Sequence, residues 1–169
     1  MRRFLTLLVC AAALVATAAD RRAPGFSLVD TKLQEHDLAD YRGKVVLLTF
    51  VSTTCPHCAA FAEILQQVQD KHPDKVQVLA VVTPPDDFKN AREFIQGHKI
   101  TFPVLMDSGQ MSYSYILSPD LKFPRLYMID GNGMIRADYE YSPVTREIFE
   151  GAGLDPAVSR MLGSGGTKK

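Results

Sequence analysis

Apolar positions along the chain fall into blocks of two kinds. Val45 to Val51 is an apolar run rich in β-branched residues, the pattern of a central strand buried on both faces. Val76 to Val82 repeats it. Between them, Phe61, Ile64, Leu65 and Val68 recur at spacings of three and four, which predicts a helix over His57 to Lys71. Pro84-Pro85 then breaks the chain, and Asp86 or Asp87 is placed to cap a helix running to Gly97. Shorter blocks predict strands at Phe26 to Val29, Val104 to Met106, Leu126 to Ile129 and Met134 to Tyr139. Asp37 to Lys44 reads as a turn with local helix, Gly109 to Ile116 as a brief helix, and Thr145 to Gly151 or beyond as a last helix. Asp130-Gly131-Asn132-Gly133 is a strong hairpin signal, because its residues tolerate the positive φ of tight turns. Parallel strands come early and an antiparallel pair late. The expectation is an α/β three-layer sandwich with a mixed central sheet.

The two ends read differently from this body. Arg2 and Arg3, the apolar stretch Phe4 to Val15 and the small residues Ala16-Thr17-Ala18 form the pattern of a cleaved export signal over residues 1–19. An uncleaved membrane anchor is the alternative, but a spanning helix needs ~20 apolar residues and this run is shorter. Residues 23–162 read as one domain, and residues 163–169 as a flexible basic tail. The 169 residues suffice for one sizeable core. With 19 basic and 19 acidic residues, the chain carries no net charge with which to attract nucleic acid or an anionic membrane. Localisation is expected to be periplasmic or secreted.

Of the three cysteines, Cys10 lies in the signal and reads as a passenger discarded with it. A lipid-attachment role is disfavoured, because Leu7-Leu8-Val9 places no small residue just before it. Cys55 and Cys58 remain. Two residues make no disulfide framework, and closing so short a loop gains little entropy. The pair therefore reads as chemistry. It sits where the buried strand ends and a helix begins, so first-turn amides and the helix dipole favour a thiolate at Cys55. Pro56 suits the first helical position. Cys58, one turn on, faces back toward Cys55 and can resolve a mixed disulfide formed there. His57, when protonated, adds positive charge and favours the thiolate further; the plainer reading is an exposed first-turn residue with no redox role. Stabilising the dithiol form makes the disulfide more oxidising. Such chemistry calls for no cofactor and no metal.

With Ala23-Pro24 upstream, the stretch Val45 to Cys58 resembles the thioredoxin superfamily, and most nearly the exported thioredoxin-like branch related to ResA and TlpA within the redoxin group. Asp40-Tyr41-Arg42-Gly43-Lys44 resembles that branch's lead-in to the first central strand. Phe102-Pro103-Val104-Leu105-Met106-Asp107 resembles its strand before a short helix, and Phe123 to Gly133 its cis-proline strand and hairpin. The likeness runs from about Ala23 to Arg136 in consistent order. It implies a thioredoxin-like fold, exchange with protein thiols and disulfides, and an exported or membrane redox partner. By the same resemblance Pro124 is the cis-proline, with the Phe123 backbone set against Cys55 to receive an incoming chain. Thr54 stands where the family has an aromatic just before the first Cys, and adjoins the substrate path. Oligomeric state is not implied.

Where the chain departs from the family, acids are lost. Thr49 occupies the place of the buried acid of thioredoxins, and Phe61 that of the glutamate three residues after the second Cys in ResA-like proteins. Glu63 is near in sequence but points elsewhere around the helix. Cys-Pro-His-Cys itself resembles the oxidising DsbA family, whereas the flanks resemble a reducing branch. Two rivals compete with thiol–disulfide exchange. A peroxiredoxin-like peroxidase wants a Pro and a Thr where this chain has Leu48 and Ser52, and an arginine where it has Pro124, with Arg125 one residue off. A Cu(I)-binding metallochaperone-like protein suits soft thiolates, but of His36, His57, His72 and His98 only His57 has ligand spacing to the cysteines. A redox-inactive binding module is disfavoured by retention of both cysteines. Met106, Met111, Met128 and Met134 read as core or turn residues, and Tyr113 and Tyr115 as packing.

Overall fold

A computed structural model describes residues 21–118, 120–151 and 153–164. The export signal expected over residues 1–19, with Cys10, lies outside them, as do residues 165–169 of the expected tail. Along the chain the strands are β1 (Arg21–Arg22), β2 (Ser27–Val29), β3 (Glu35–Asp37), β4 (Val45–Phe50), β5 (Val76–Val82), β6 (Val104–Met106), β7 (Arg125–Ile129) and β8 (Met134–Glu140). The helices are α1 (Pro56–Lys71), α2 (Phe88–His98), α3 (Gln110–Ile116), α4 (Arg146–Phe149) and α5 (Leu154–Ser164), with a 3-10 turn at Leu38–Tyr41.

Six strands form one sheet in the order β1-β8-β7-β4-β5-β6. Strands β4, β5 and β6 run parallel, while β7 and β8 add antiparallel on the other side. This is the expected mixed sheet of an α/β sandwich. Every residue of β4 is buried, and its side chains divide strictly by parity. Val45 and Leu47 face a core made with α1, α2 and α5, whereas Val46, Leu48 and Phe50 face one made with α3 and the chain start at Ala23 and Phe26. A single strand thus anchors both layers, which is why it reads as an unbroken apolar run.

Several elements differ from expectation. Strand β1, only two residues of arginine, completes the sheet edge beside β8, and Arg21 reaches across to donate to the Tyr115 carbonyl at 3.0 Å. Strand β2 gains a partner, β3, whose Glu-His-Asp sequence carries no apolar alternation. The single last helix becomes two, α4 and α5, and α5 carries helical backbone to Ser164, past the expected start of the tail at 163. Tyr113 was expected to pack, yet it is 83% exposed, because α3 turns its other face to the sheet; Tyr115 is fully buried. In the hairpin turn only Gly133 takes positive φ, at 77°. Asp130 supports that turn, accepting from the Asn132 and Met134 amides at 2.9 and 3.0 Å. No helix among the described residues is long and apolar enough to cross a membrane.

Phe61 is fully buried in the first turns of α1 and meets Phe149 edge-on at 4.8 Å. Phe61→Ala is expected to destabilise the protein by about 3–5 kcal/mol through lost burial and a residual cavity. Urea unfolding monitored by circular dichroism measures it; a change below about 1 kcal/mol would contradict this account of the packing.

Candidate active site

Strand β4 ends at Phe50, and the chain needs only Val51 to Thr54 to reach Cys55. Cys55 is the residue before the first helical position of α1, in extended conformation (φ −87°, ψ 118°), and Pro56 opens the helix. The Cys58 and Ala59 amides both donate to the Cys55 carbonyl, each at 3.1 Å, closing the first turn. Cys55 therefore lies at the positive end of a 16-residue helix. Both thiols are free; Cys55 is partly exposed and Cys58 buried. Thr54 and Pro56 are exposed beside them.

Phe123 and Pro124 come to this point at the start of β7, the strand next to β4. The peptide bond between them is cis. Pro124 is buried, Phe123 partly so, and the Cys55 thiol donates to the Phe123 carbonyl at 3.9 Å. The pairing that brings them together is antiparallel, with Phe50 opposite Arg125. Buried Thr49 adds a second tie here, its hydroxyl donating to the Arg125 carbonyl at 3.1 Å.

Burial pushes the Cys58 thiol far above the ordinary range. A backbone hydrogen bond from Ser52 opposes that shift, while the neighbouring Cys55 and the Asp86 carboxylate reinforce it. Thr49 and Phe61, which stand where the resemblance would set acids, are both fully buried. Glu63 is exposed and meets His98 at 3.4 Å, on another face of α1.

Two residues were not read from the sequence as part of this site. Of the two candidate caps for α2, Asp87 does the capping, accepting from the Asn90 amide at 2.8 Å. Asp86 is thereby free to hold the loop before Cys55, accepting from the Thr53 amide at 3.0 Å and from the Thr53 hydroxyl. The other is Tyr141, just past β8, whose ring stacks on His57 with centroids 4.4 Å apart and planes 28° apart. The doubled Asp86-Asp87 carried the first signal; nothing local marked the second. The remaining histidines are engaged elsewhere: His36 with Asp30 and Tyr41, His72 with Asp155, His98 with Glu63.

This geometry separates the two thiols chemically. In the reduced, folded protein, iodoacetamide near neutral pH is expected to modify Cys55 and leave Cys58 unreacted, with both reacting in denaturant; peptide mass spectrometry reads the sites. The raised Cys58 thiol also fixes a pH dependence. Above the usual thiol value of ~8.5 the unfolded chain sheds this proton and the folded chain keeps it, so stability of the reduced protein falls as pH rises through the alkaline range. Urea unfolding at about pH 7.5 and about pH 9.5 measures the loss, which Cys58→Ala should diminish. Equal alkaline losses in both proteins would contradict it.

The Redoxin family pattern matches residues 18–151. Thioredoxin-like protein YneN of Bacillus subtilis is 30% identical over 132 residues, covering 77% of this chain and 75% of that protein. Thiol-disulfide oxidoreductase ResA of Geobacillus kaustophilus is 30% identical over 122 residues, covering 72% of this chain and 68% of its own. Among solved structures, a thiol:disulfide interchange protein of the thioredoxin family from Chlorobium tepidum superposes with a TM-score of 0.72. It covers 87% of this chain and 99% of that one at 22% identity, a likeness of fold. With its strand–Cys-X-X-Cys–helix site on this fold, the chain belongs to the Redoxin family, as a thioredoxin-like protein of the ResA kind and a thiol–disulfide oxidoreductase.

Proposed function

We propose that the chain works outside the cytoplasm, exchanging its Cys55–Cys58 dithiol or disulfide with the thiols and disulfides of exported proteins. The observation that carries this reading is the pairing of a partly exposed thiol at a helix start with a buried thiol one turn on, the first of them 3.9 Å from the Phe123 carbonyl. Export rests on Arg2, Arg3, the apolar run Phe4 to Val15 and Ala16-Thr17-Ala18.

In the reducing direction, the Cys55 thiolate attacks one sulfur of a substrate disulfide. The substrate S–S bond breaks, a Cys55–substrate disulfide forms, and the second substrate sulfur leaves as a thiolate that takes a proton from solvent. Cys58 then gives up its proton to solvent and attacks the Cys55 sulfur. The mixed disulfide breaks, the Cys55–Cys58 disulfide forms, and the second substrate thiol departs. Two electrons have passed to the substrate. Run backward, the same steps oxidise a substrate dithiol. Phe123 and Pro124 offer the incoming chain a backbone edge for strand-like pairing, and exposed Thr54 borders its path. Pro56 fixes the first helical turn between the sulfurs. His57, beside Cys55, favours the thiolate when it carries charge.

An exported or membrane-bound redox protein would recycle the pair. Because Cys58 holds its proton strongly, it stays quiet until a mixed disulfide puts an electrophilic sulfur beside it. Cys55→Ser is expected to abolish reduction of insulin disulfides by dithiothreitol-recycled protein. Cys58→Ser should instead accumulate the mixed disulfide, visible as a dithiothreitol-sensitive adduct on non-reducing gels. Full insulin-reducing activity in Cys55→Ser would overturn the assignment.

A further inference from the structure

His57 lies in the first turn of α1 and is exposed, so an isolated side chain there would sample several rotamers. It is instead stacked on Tyr141 at 4.4 Å. Tyr141 is itself fixed from three directions. Its amide donates to the Pro124 carbonyl at 3.2 Å. Its hydroxyl donates to Glu150 Oε1 at 2.9 Å, and the other oxygen of Glu150 accepts from Arg146 Nε. Its ring meets Phe149 edge-on at 5.6 Å, and Phe149 in turn packs on Phe61 of α1. A closed circuit thus runs from His57 through Tyr141 and Phe149 back to α1, with the cis-proline loop attached to it.

We propose that Tyr141 is a positioning residue for His57, holding the imidazole beside Cys55 so that the segment from Tyr141 to Glu150 sets the redox equilibrium of the cysteine pair. The inference rests on the thiol–disulfide reading above. The stack fixes the imidazole by ring contact, and the Glu150 carboxylate on the tyrosine hydroxyl fixes the ring. A cation held near Cys55 stabilises its thiolate and hence the dithiol form, which makes the disulfide the stronger oxidant. An imidazole released from the stack spends less time near the sulfur, and the effect is diluted. Arg146 and Glu150 serve by fixing the tyrosine hydroxyl.

The experiment measures the equilibrium constant of the Cys55–Cys58 pair against glutathione, together with the proton NMR shifts of the His57 ring. Wild type should show His57 ring protons moved upfield by the Tyr141 ring current. Tyr141→Leu is expected to return them to free-imidazole positions and to shift the equilibrium about three- to tenfold toward the disulfide. Tyr141→Phe keeps the ring and should retain both the upfield shift and an equilibrium within about twofold of wild type. In a His57→Ala background, Tyr141→Leu should add no further change. A shift from Tyr141→Leu of equal size with and without His57, or wild-type His57 protons at free-imidazole positions, overturns the proposal alone. The wild-type spectrum needs no variant to fold. Absence of any exchange between wild-type protein and glutathione overturns the oxidoreductase reading, and the proposal with it.

Discussion

The antiparallel register of β4 on β7 is the constraint from which the distances at the candidate site follow. Phe50 pairs with Arg125, so the chain leaving β4 and the chain entering β7 pass each other at the same end of the sheet. One of them carries Cys55 and the other Phe123. A slip of one residue would move every side chain of a strand to the opposite face. Here that cost falls on two cores at once, because β4 gives Leu47 to one and Leu48 and Phe50 to the other. The cysteine needs no contact of its own to find the cis-proline loop. Apolar packing on both sides of one strand fixes the register, and the register delivers the sulfur to the carbonyl.

What the sequence disclosed follows from the same physics. Strands buried on both faces are apolar at every position, so β4 and β5 are plain, and α1 declares itself by period. The cysteine pair was legible because its place between strand and helix is local information. Strand β1 was not, since two arginines at a sheet edge are held by pairing with β8 and by the Tyr115 carbonyl, and neither leaves a pattern. Strand β3 was hidden for a like reason: its Glu-His-Asp sequence matches a loop. Tyr113 and Tyr115 look alike in sequence; only the orientation of α3 decides which is buried. The division of the last helix turns on Gly153, where an added Cβ would lie 2.9 Å from the Glu147 carbonyl oxygen, a contact that exists only once the chain has folded back.

That Thr49 and Phe61 carry no carboxyl near Cys58 has a coherent physical outcome. Thr49 and Phe61 are fully buried, and each is tied into packing: Thr49 to the Arg125 carbonyl, Phe61 to Phe149. A carboxylate at either place would face desolvation, whose cost runs to several kcal/mol without a partner. Threonine and phenylalanine avoid that cost, and burial keeps the Cys58 thiol protonated. Asp86 is the acid whose charge bears on Cys58, and its oxygens are already committed to the Thr53 amide and hydroxyl. It therefore stiffens the approach to Cys55 and at the same time disfavours a second negative charge at Cys58. Both effects keep the two sulfurs unequal.

Inequality between sulfurs is also where the distal half of the chain matters. Tyr141 and Phe149 are 84 and 92 positions beyond His57, and no spacing in the sequence links them. They reach the site because β8 runs antiparallel to β7 and ends beside the cis-proline, where the Tyr141 amide takes the Pro124 carbonyl. Past that point the chain turns on itself at Ser142 to Thr145, with the Ser142 amide donating to the Thr145 hydroxyl oxygen at 3.0 Å, and α4 returns Phe149 to α1. The segment could have left the sheet in other directions and still buried Phe149. Leaving in this one places an aromatic face on His57, so the fold that orders Cys55 against Phe123 also orders the imidazole two residues on.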